Sequence, residues 1–357
     1  MERFANKANA GQAGEAVRTA AAEKPIQKLL ILRALQLGDM LCVIPALRAM
    51  RAAHPEARIT LVGLPWAASF VRRFSHYLDD FIAFPGWPGL PEQEPHPERI
   101  AAFFEMVQAM QFDLAIQMHG AGTLTNPLAV LCGARQTAGY YLPGQFCPDP
   151  ETFFPYPDGE HEIRIFTRLA QKLGWPEQGE ALEFPVTEEE QATYETFRNA
   201  HHLAPGGYAV LHPGARFEGR RWPTERFAAV GDRLAGMGLQ IVVTGAPAER
   251  PLTGAVTAQM HAAAIDAGGK TDLGTLALLL RGARLLVSND TGVSHLAAAV
   301  QAPSVVLFTV SDPNRWRPLN ERLHRIILHS DQASPEMVLA EAETVLRETR
   351  EYASEAR

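Results

Sequence analysis

The sequence predicts an α/β protein made of two successive doubly wound units. Three observations predict it. Short apolar, β-branched runs alternate with amphipathic stretches from residue 28 to residue 308. Strand, helix and strand at that spacing require a crossover and therefore parallel pairing. The alternation breaks at Ala204-Pro-Gly-Gly207 and then restarts. A length of 357 residues also exceeds what one core ordinarily serves. The expected architecture is two Rossmann-like domains facing each other across a cleft, over residues 26–190 and 205–334. A tail over residues 1–25, expected to be mostly disordered, precedes them, and a last helix within 335–357 is placed to pack back across both.

Each element has its own justification. Residues 28–33 are an unbroken apolar run and read as a buried strand; 34–39 are a loop and 40–53 a helix. In that helix Leu41, Ile44, Leu47 and Met50 recur at helical spacing, and Pro45 falls near the first turn, where proline is tolerated. Strands follow at 58–63 and 80–84, separated by a helix over 66–74. The proline-rich stretch 85–97 is a rigid loop, then come a helix over 98–110, a strand over 113–117 and a helix over 123–131. Residues 140–156, rich in proline and aromatics, read as a long ordered surface loop, a type that often carries function. Helices over 160–173 and 187–201 follow, and the boundary between the units falls between Pro185 and Gly206.

The second unit begins with a strand over 208–212 and a helix over 224–235 capped by Thr224. A strand over 240–244, a helix over 248–261, a short strand over 264–267 and a helix over 273–281 follow. Then comes the stretch with the clearest chemistry, Leu285-Leu-Val-Ser-Asn-Asp-Thr-Gly-Val-Ser-His295, which reads as strand, tight turn and helix start. A strand over 304–308 and a final helix from 335 to about 348 complete the chain.

Composition narrows the function. With 46% apolar and 20% charged residues the chain falls in the soluble globular class. A formal charge of −7 argues against a nucleic-acid partner, which selects a basic excess. Three cysteines without metal-ligand spacing fit a reducing, cytoplasmic setting. No apolar run reaches membrane-spanning length, and residues 1–25 lack the apolar segment of a secretory signal. A chain of this kind can still meet a substrate at a membrane surface peripherally.

Four clusters can carry chemistry. Asp290 or Thr291 can cap the helix that follows them, Gly292 lets a ligand approach the backbone, and His295 sits about one turn along. The free N–H groups and the positive helix end suit an anion such as a diphosphate; the competing reading is an ordinary capped helix with a core histidine. Gly38 and Asp39 stand at the carboxyl end of the first strand, the edge at which open α/β sheets bind ligands. There Gly38 permits a turn, and Asp39 either takes a proton from an incoming hydroxyl or merely caps a helix. Pro213 and Gly214 turn the chain after a strand end, exposed N–H groups follow, and Arg216, Arg220 and Arg221 carry guanidinium groups that match phosphate; the competing reading is a solvated basic loop. Glu249, after another strand end, suits ribose hydroxyls or the start of a helix.

Other motifs fail. Gly268-Gly-Lys-Thr271 lacks the glycine five positions earlier that a P-loop needs, since Ala264 stands there. The first strand is not followed by Gly-x-Gly-x-x-Gly, against a nicotinamide cofactor. Neither Asp-x-Asp nor His-x-x-x-His occurs, so neither a metal nor any other cofactor is expected.

Three segments together resemble a family. Leu32 to Leu47, with Leu37-Gly-Asp-Met40 at its centre, is similar to the amino-terminal signature of the bacterial heptosyltransferases, glycosyltransferase family nine. His212-Pro-Gly-Ala with Arg-Arg-Trp-Pro223, and Ser288 to His295, resemble its later motifs in the same order. The resemblance implies a GT-B fold and an inverting, metal-independent transfer from a nucleotide-diphosphate sugar, ADP-heptose-like, to a glycan or lipid-linked glycan of the lipopolysaccharide-core type. Carried over by position, Asp39 is the general base, and Gly214 and Ala215 offer backbone to the phosphates. Arg220 stands where the family usually has a lysine. Glu249 holds the ribose, and Asp290, Thr291, Gly292 and His295 bind diphosphate and donor sugar. A nucleotide-sugar 2-epimerase on the same fold, or a non-catalytic nucleotide-sugar binder, are the alternatives.

Overall fold

The computed structural model describes residues 25–355; the tail expected over 1–25 lies outside them except for Pro25. The first half runs β1 (Lys28–Leu32), α1 (Leu37–Cys42), α2 (Ile44–Ala53), β2 (Arg58–Gly63), α3 (Ala67–Arg73), β3 (Asp80–Ala83), α4 (Pro97–Ala109), β4 (Leu114–Gln117), α5 (Thr125–Leu131), β5 (Gln136–Tyr141), β6 (Phe153–Pro155) and α6 (Glu162–Lys172). Helix α7 (Glu188–Ala200) leads into β7 (Tyr208–His212), α8 (Thr224–Gly236), β8 (Gln240–Val243), α9 (Arg250–Gln259), β9 (Ala264–Asp266) and α10 (Leu273–Gly282). Then follow β10 (Leu285–Asn289), α11 (Gly292–Ala299), β11 (Ser304–Leu307), α12 (Pro313–Trp316), β12 (His324–Ile327) and α13 (Pro335–Glu355).

Two parallel sheets result, ordered β3-β2-β1-β4-β5-β6 and β12-β11-β10-β7-β8-β9. The arrangement is the same in both: the first strand of each half lies beside its fourth. Leu29 to Leu32 and Leu285 to Val287 are buried on both faces, which is why these runs are apolar throughout rather than alternating. The order of connection reverses between β1 and β4, and again between β7 and β10. Crevices outside the carboxyl ends of such strands are where open α/β sheets take ligands.

The halves share one buried core. Leu276 and Leu279 of α10 and Leu296 and Ala297 of α11 belong to the same cluster as Leu41, Ile44 and Leu47 of the first half. At its edge the backbones of α1 and α11 nearly touch: a Cβ on Gly38 would lie 3.3 Å from the Cα of Gly292, and one on Gly292 would lie 3.1 Å from the nitrogen of Gly38. Helix α13 lays Val338, Leu339, Ala342 and Val345 into the core of the second half, with Phe227 and Leu234. Among the described residues no helix is long and apolar enough to cross a membrane.

Some expectations need correction. The helix read over 40–53 starts earlier and breaks at Val43, because Pro45 lacks the N–H that a continuous helix would use; α2 restarts with that proline in its first turn. Asp39 therefore sits in the first turn of α1, not in a loop. Gly38 makes no special turn; its bareness admits the second half. The long loop read over 140–156 contains the end of β5 and all of β6, with Pro155 tolerated at the sheet edge. Thr224 is the first helical residue of α8 rather than its cap, which is Pro223. Strand β12 and the short helix α12, capped by Asp312, were not anticipated.

Candidate active site

One cleft of ≈ 560 Å³ opens between the halves. All but one of the residues singled out from the sequence line it: Gly38 and Asp39 from the first half, and Gly214, Ala215, Arg216, Arg220, Glu249, Asp290, Thr291, Gly292 and His295 from the second. Arg221 is the exception within its cluster, since its Nε turns back to donate to the carbonyl of Ala215 at 2.9 Å. The strand ends explain the convergence. His212 is the last residue of β7, and Asp39, Glu249 and Asp290 follow the carboxyl ends of β1, β8 and β10.

The wall supplied by the second half is held in part by a side chain to which the sequence gives no role. Asn289 is fully buried; its Oδ1 accepts from the N–H of Trp222 at 3.0 Å, and its Nδ2 donates to the carbonyl of Pro213 at 2.8 Å. That clamps both ends of the 213–222 loop to β10. Gly214 is bare for a local reason: a Cβ there would lie 2.2 Å from the carboxylate of Glu249. Glu249 in turn accepts from the N–H of Ala246 at 2.7 Å and faces His212 at 3.8 Å. Thr291 caps α11, its Oγ1 accepting from the N–H of Val293 at 3.4 Å.

Charge in the cleft is paired but not saturated. Arg220 Nη1 lies 3.9 Å from Asp290 Oδ2, and Ser311 donates to the same oxygen. Burial raises the pKa of Asp290, while Ser311 and Arg220 pull it down. Asp39 is half-buried; burial raises its pKa and Arg33 opposes that, while the Glu162 carboxylate adds to the rise. A carboxylate raised toward neutrality is a better proton acceptor than an ordinary one. His295 is not the cation that its position beside an anion site suggests. Burial pushes it down to about 4, so at neutral pH it offers hydrogen bonds only, with Nδ1 3.5 Å from the Cys42 thiol.

His324 on β12, bonded to Ser304 at 2.8 Å, is likewise buried and pushed down to about 4. These two histidines set an acid limit on stability. Between about 4 and the ordinary 6.5 the unfolded chain takes up protons that the folded chain refuses, so stability falls as pH falls through that window. By pH 5 each should cost on the order of 2 kcal/mol. Urea unfolding midpoints should drop from pH 7 to pH 5, and His324→Gln should remove part of that drop; a midpoint flat over the interval would contradict it.

Several cleft residues escaped sequence reasoning. Glu92, from the proline-rich loop, lies 3.7 Å from His119, and Arg216 reaches the same loop at the carbonyl of Pro91, 3.4 Å away. Trp316, on α12, lines the cleft and packs edge-on to His295. The available signal was Asp312-Pro-Asn-Arg-Trp316, an N-cap followed by a proline at the first helical position. Among the described residues no group of three or more His, Cys, Asp or Glu is placed to hold a metal ion.

Comparison with known proteins follows the same outline. The sequence model of glycosyltransferase family 9 (heptosyltransferase) matches residues 100–345. Lipopolysaccharide heptosyltransferase 1 of Escherichia coli (strain K12) is 25% identical over 298 residues, which cover 80% of this chain and 89% of the relative. The solved structure of the glycosyl transferase family 9 protein from Veillonella parvula DSM 2008 superposes with a TM-score of 0.76 at 22% identity, covering 91% of this chain and 98% of that one. E. coli ADP-heptose lps heptosyltransferase II superposes with a TM-score of 0.69 at 20% identity, covering 91% and 100%. At these identities the two structures speak to the fold, which is GT-B. A family match across most of the length, on a chain whose cleft gathers the three motifs, means that this protein belongs to glycosyltransferase family 9 and is a glycosyltransferase.

Proposed function

We propose that the chain transfers a heptose-like sugar from an ADP-heptose-type donor to a hydroxyl of a lipopolysaccharide-core-type glycan, with inversion and without a metal. The sugar and acceptor follow from the relatives, a lipopolysaccharide heptosyltransferase 1 and an ADP-heptose lps heptosyltransferase II. The observation that carries the chemistry is that a carboxylate from one half and a cationic, N–H-rich wall from the other open onto the same cleft.

In this reading Asp39 accepts the proton of the acceptor hydroxyl as its oxygen attacks the anomeric carbon. The bond from that carbon to the diphosphate breaks on the opposite face, and the diphosphate leaves with the electron pair. Negative charge grows on the leaving group, and Arg216, Arg220, the backbone at Gly214 and Ala215 and the amino end of α11 are fixed before it does. Glu249 accepts from ribose hydroxyls. Asp290, a carboxylate, suits sugar hydroxyls better than phosphate, and the neutral His295 beside it can bond either. Closure over the site excludes the water that would hydrolyse the donor.

Arg220→Ala tests the phosphate role. A charged hydrogen bond to a partly exposed guanidinium is worth enough that ADP should bind about tenfold more weakly by calorimetry, with transfer slowed. Equal affinity in the variant would remove Arg220 from the site. The donor itself is identified by thermal shift across nucleoside diphosphates and their sugars, where ADP and its heptose conjugate should stabilise most. Donor incubated without acceptor should be recovered unchanged; a product epimeric at C2 would instead identify an isomerase.

A further inference from the structure

Three charged side chains meet beneath the cleft, behind Asp39, and one of them comes from across the interface. Arg33, at the end of β1, has a fully buried side chain, and Glu162, at the start of α6, is nearly so. Arg33 Nη2 donates both to the carbonyl of Asp39 at 2.7 Å and to Glu162 Oε1 at 3.0 Å. The other oxygen of Glu162 accepts from Arg315 Nε and Nη2 at 3.0 and 2.8 Å. Arg315 belongs to α12 of the second half, and its guanidinium lies 5.0 Å from the centre of the Trp316 ring that lines the cleft. Beside it His161 accepts from the N–H of Ile163 at Nδ1, so its proton is on Nε2, which donates to the carbonyl of Arg317 at 2.7 Å. The same short segment is thus fastened to the first half twice.

The charges balance only with Arg315 in place. Arg33 and Glu162 cancel each other, so Asp39 alone would leave a net negative charge in a poorly hydrated site; Arg315 brings the sum to zero. The neighbouring groups do not substitute for it. His295 and His161 are pushed down by burial and stay neutral, while the Cys42 thiol and the Tyr156 phenol are pushed up and stay protonated. We propose that Arg315 is a positioning residue that reaches from the second half to balance Asp39, so that the base is held ionised when the two halves are together. This rests on the reading of Asp39 as the base. The direction agrees: burial raises the pKa of Asp39, Arg33 lowers it, Glu162 raises it, and Arg315 adds a further lowering.

The test is the pH profile of kcat/KM at saturating donor, on the full chain. Arg315→Met should move the acidic limb up, by less than the roughly one unit that a directly paired opposite charge gives a carboxylate. Arg315→Lys should return most of the shift. Glu162→Gln, which removes a negative charge, should move the limb the other way. Affinity for ADP should be unchanged in Arg315→Met. A rate lowered equally at all pH values, or limbs moving together in Arg315→Met and Glu162→Gln, would show a structural role and overturn the proposal. A wild-type profile without an acidic limb would instead overturn Asp39 as the base, whatever Arg315 does.

Discussion

Asp39→Asn is expected to lower turnover by roughly 10²–10⁴-fold, the usual contribution of a positioned general base. Asparagine matches aspartate in shape and suits the first turn of α1, so the fold and the contact between Gly38 and Gly292 should survive. What it cannot do is accept the proton of the acceptor hydroxyl. The donor-binding groups assigned here, Arg216, Arg220, Glu249 and Asp290, all belong to the second half, so ADP affinity should stay as in the wild type. Initial rates of sugar transfer together with calorimetry on ADP separate the two effects. The raised pKa of Asp39 adds a second check on the unaltered enzyme: activity should fall as pH drops through a midpoint above the ordinary carboxylate value, because protonation removes the base. Unchanged turnover in Asp39→Asn would remove the residue from that role, whatever the donor affinity.

The sequence disclosed this site better than it disclosed the interface around it. Strand cores such as 29–32 and 285–287 are legible because burial on both faces leaves an unbroken apolar run. The residues at their carboxyl ends are legible for a related reason: a run that stops abruptly at Gly-Asp or Asn-Asp-Thr-Gly marks the edge where ligands sit. Strand β5 was hidden because Gly139 interrupts its apolar pattern, and that glycine is needed for the close approach of Gln117 and Phe153. Gly38 and Gly292 draw notice for local reasons, a turn and a ligand; the close approach of their backbones, which a Cβ on either would meet at 3.3 or 3.1 Å, has no local signal. Glu162 and Arg315 are 153 positions apart, and no local pattern in either segment announces that they meet. Pairings made by tertiary packing across two domains leave no periodicity to read.

The largest loss of stability should follow from Arg33→Met. Methionine keeps most of the apolar stem and still packs on Phe166, whose ring centre lies 4.5 Å from the guanidinium carbon. The substitution removes a fully buried cation that donates to the carbonyls of Met118 and Asp39 and to Glu162. It leaves Glu162, itself 2% exposed, with a single partner that is partly in solvent. Breaking a buried ion pair from one side typically costs about 3–5 kcal/mol, because the remaining charge has lost its compensation without regaining water. The physical cause can be separated from a simple packing defect by a second substitution. In Arg33→Met/Glu162→Leu the stranded carboxylate is gone, and Arg315 can turn its guanidinium outward, so the double variant should unfold at higher denaturant than Arg33→Met alone. Packing defects at adjoining sites would do the opposite and accumulate. Two packed halves need not unfold in one step, so the comparison is best made on the first transition seen by both fluorescence and circular dichroism. A double variant less stable than the single would mean that Arg33 supports the first strand by packing, and that the charge on Glu162 is tolerated there without it.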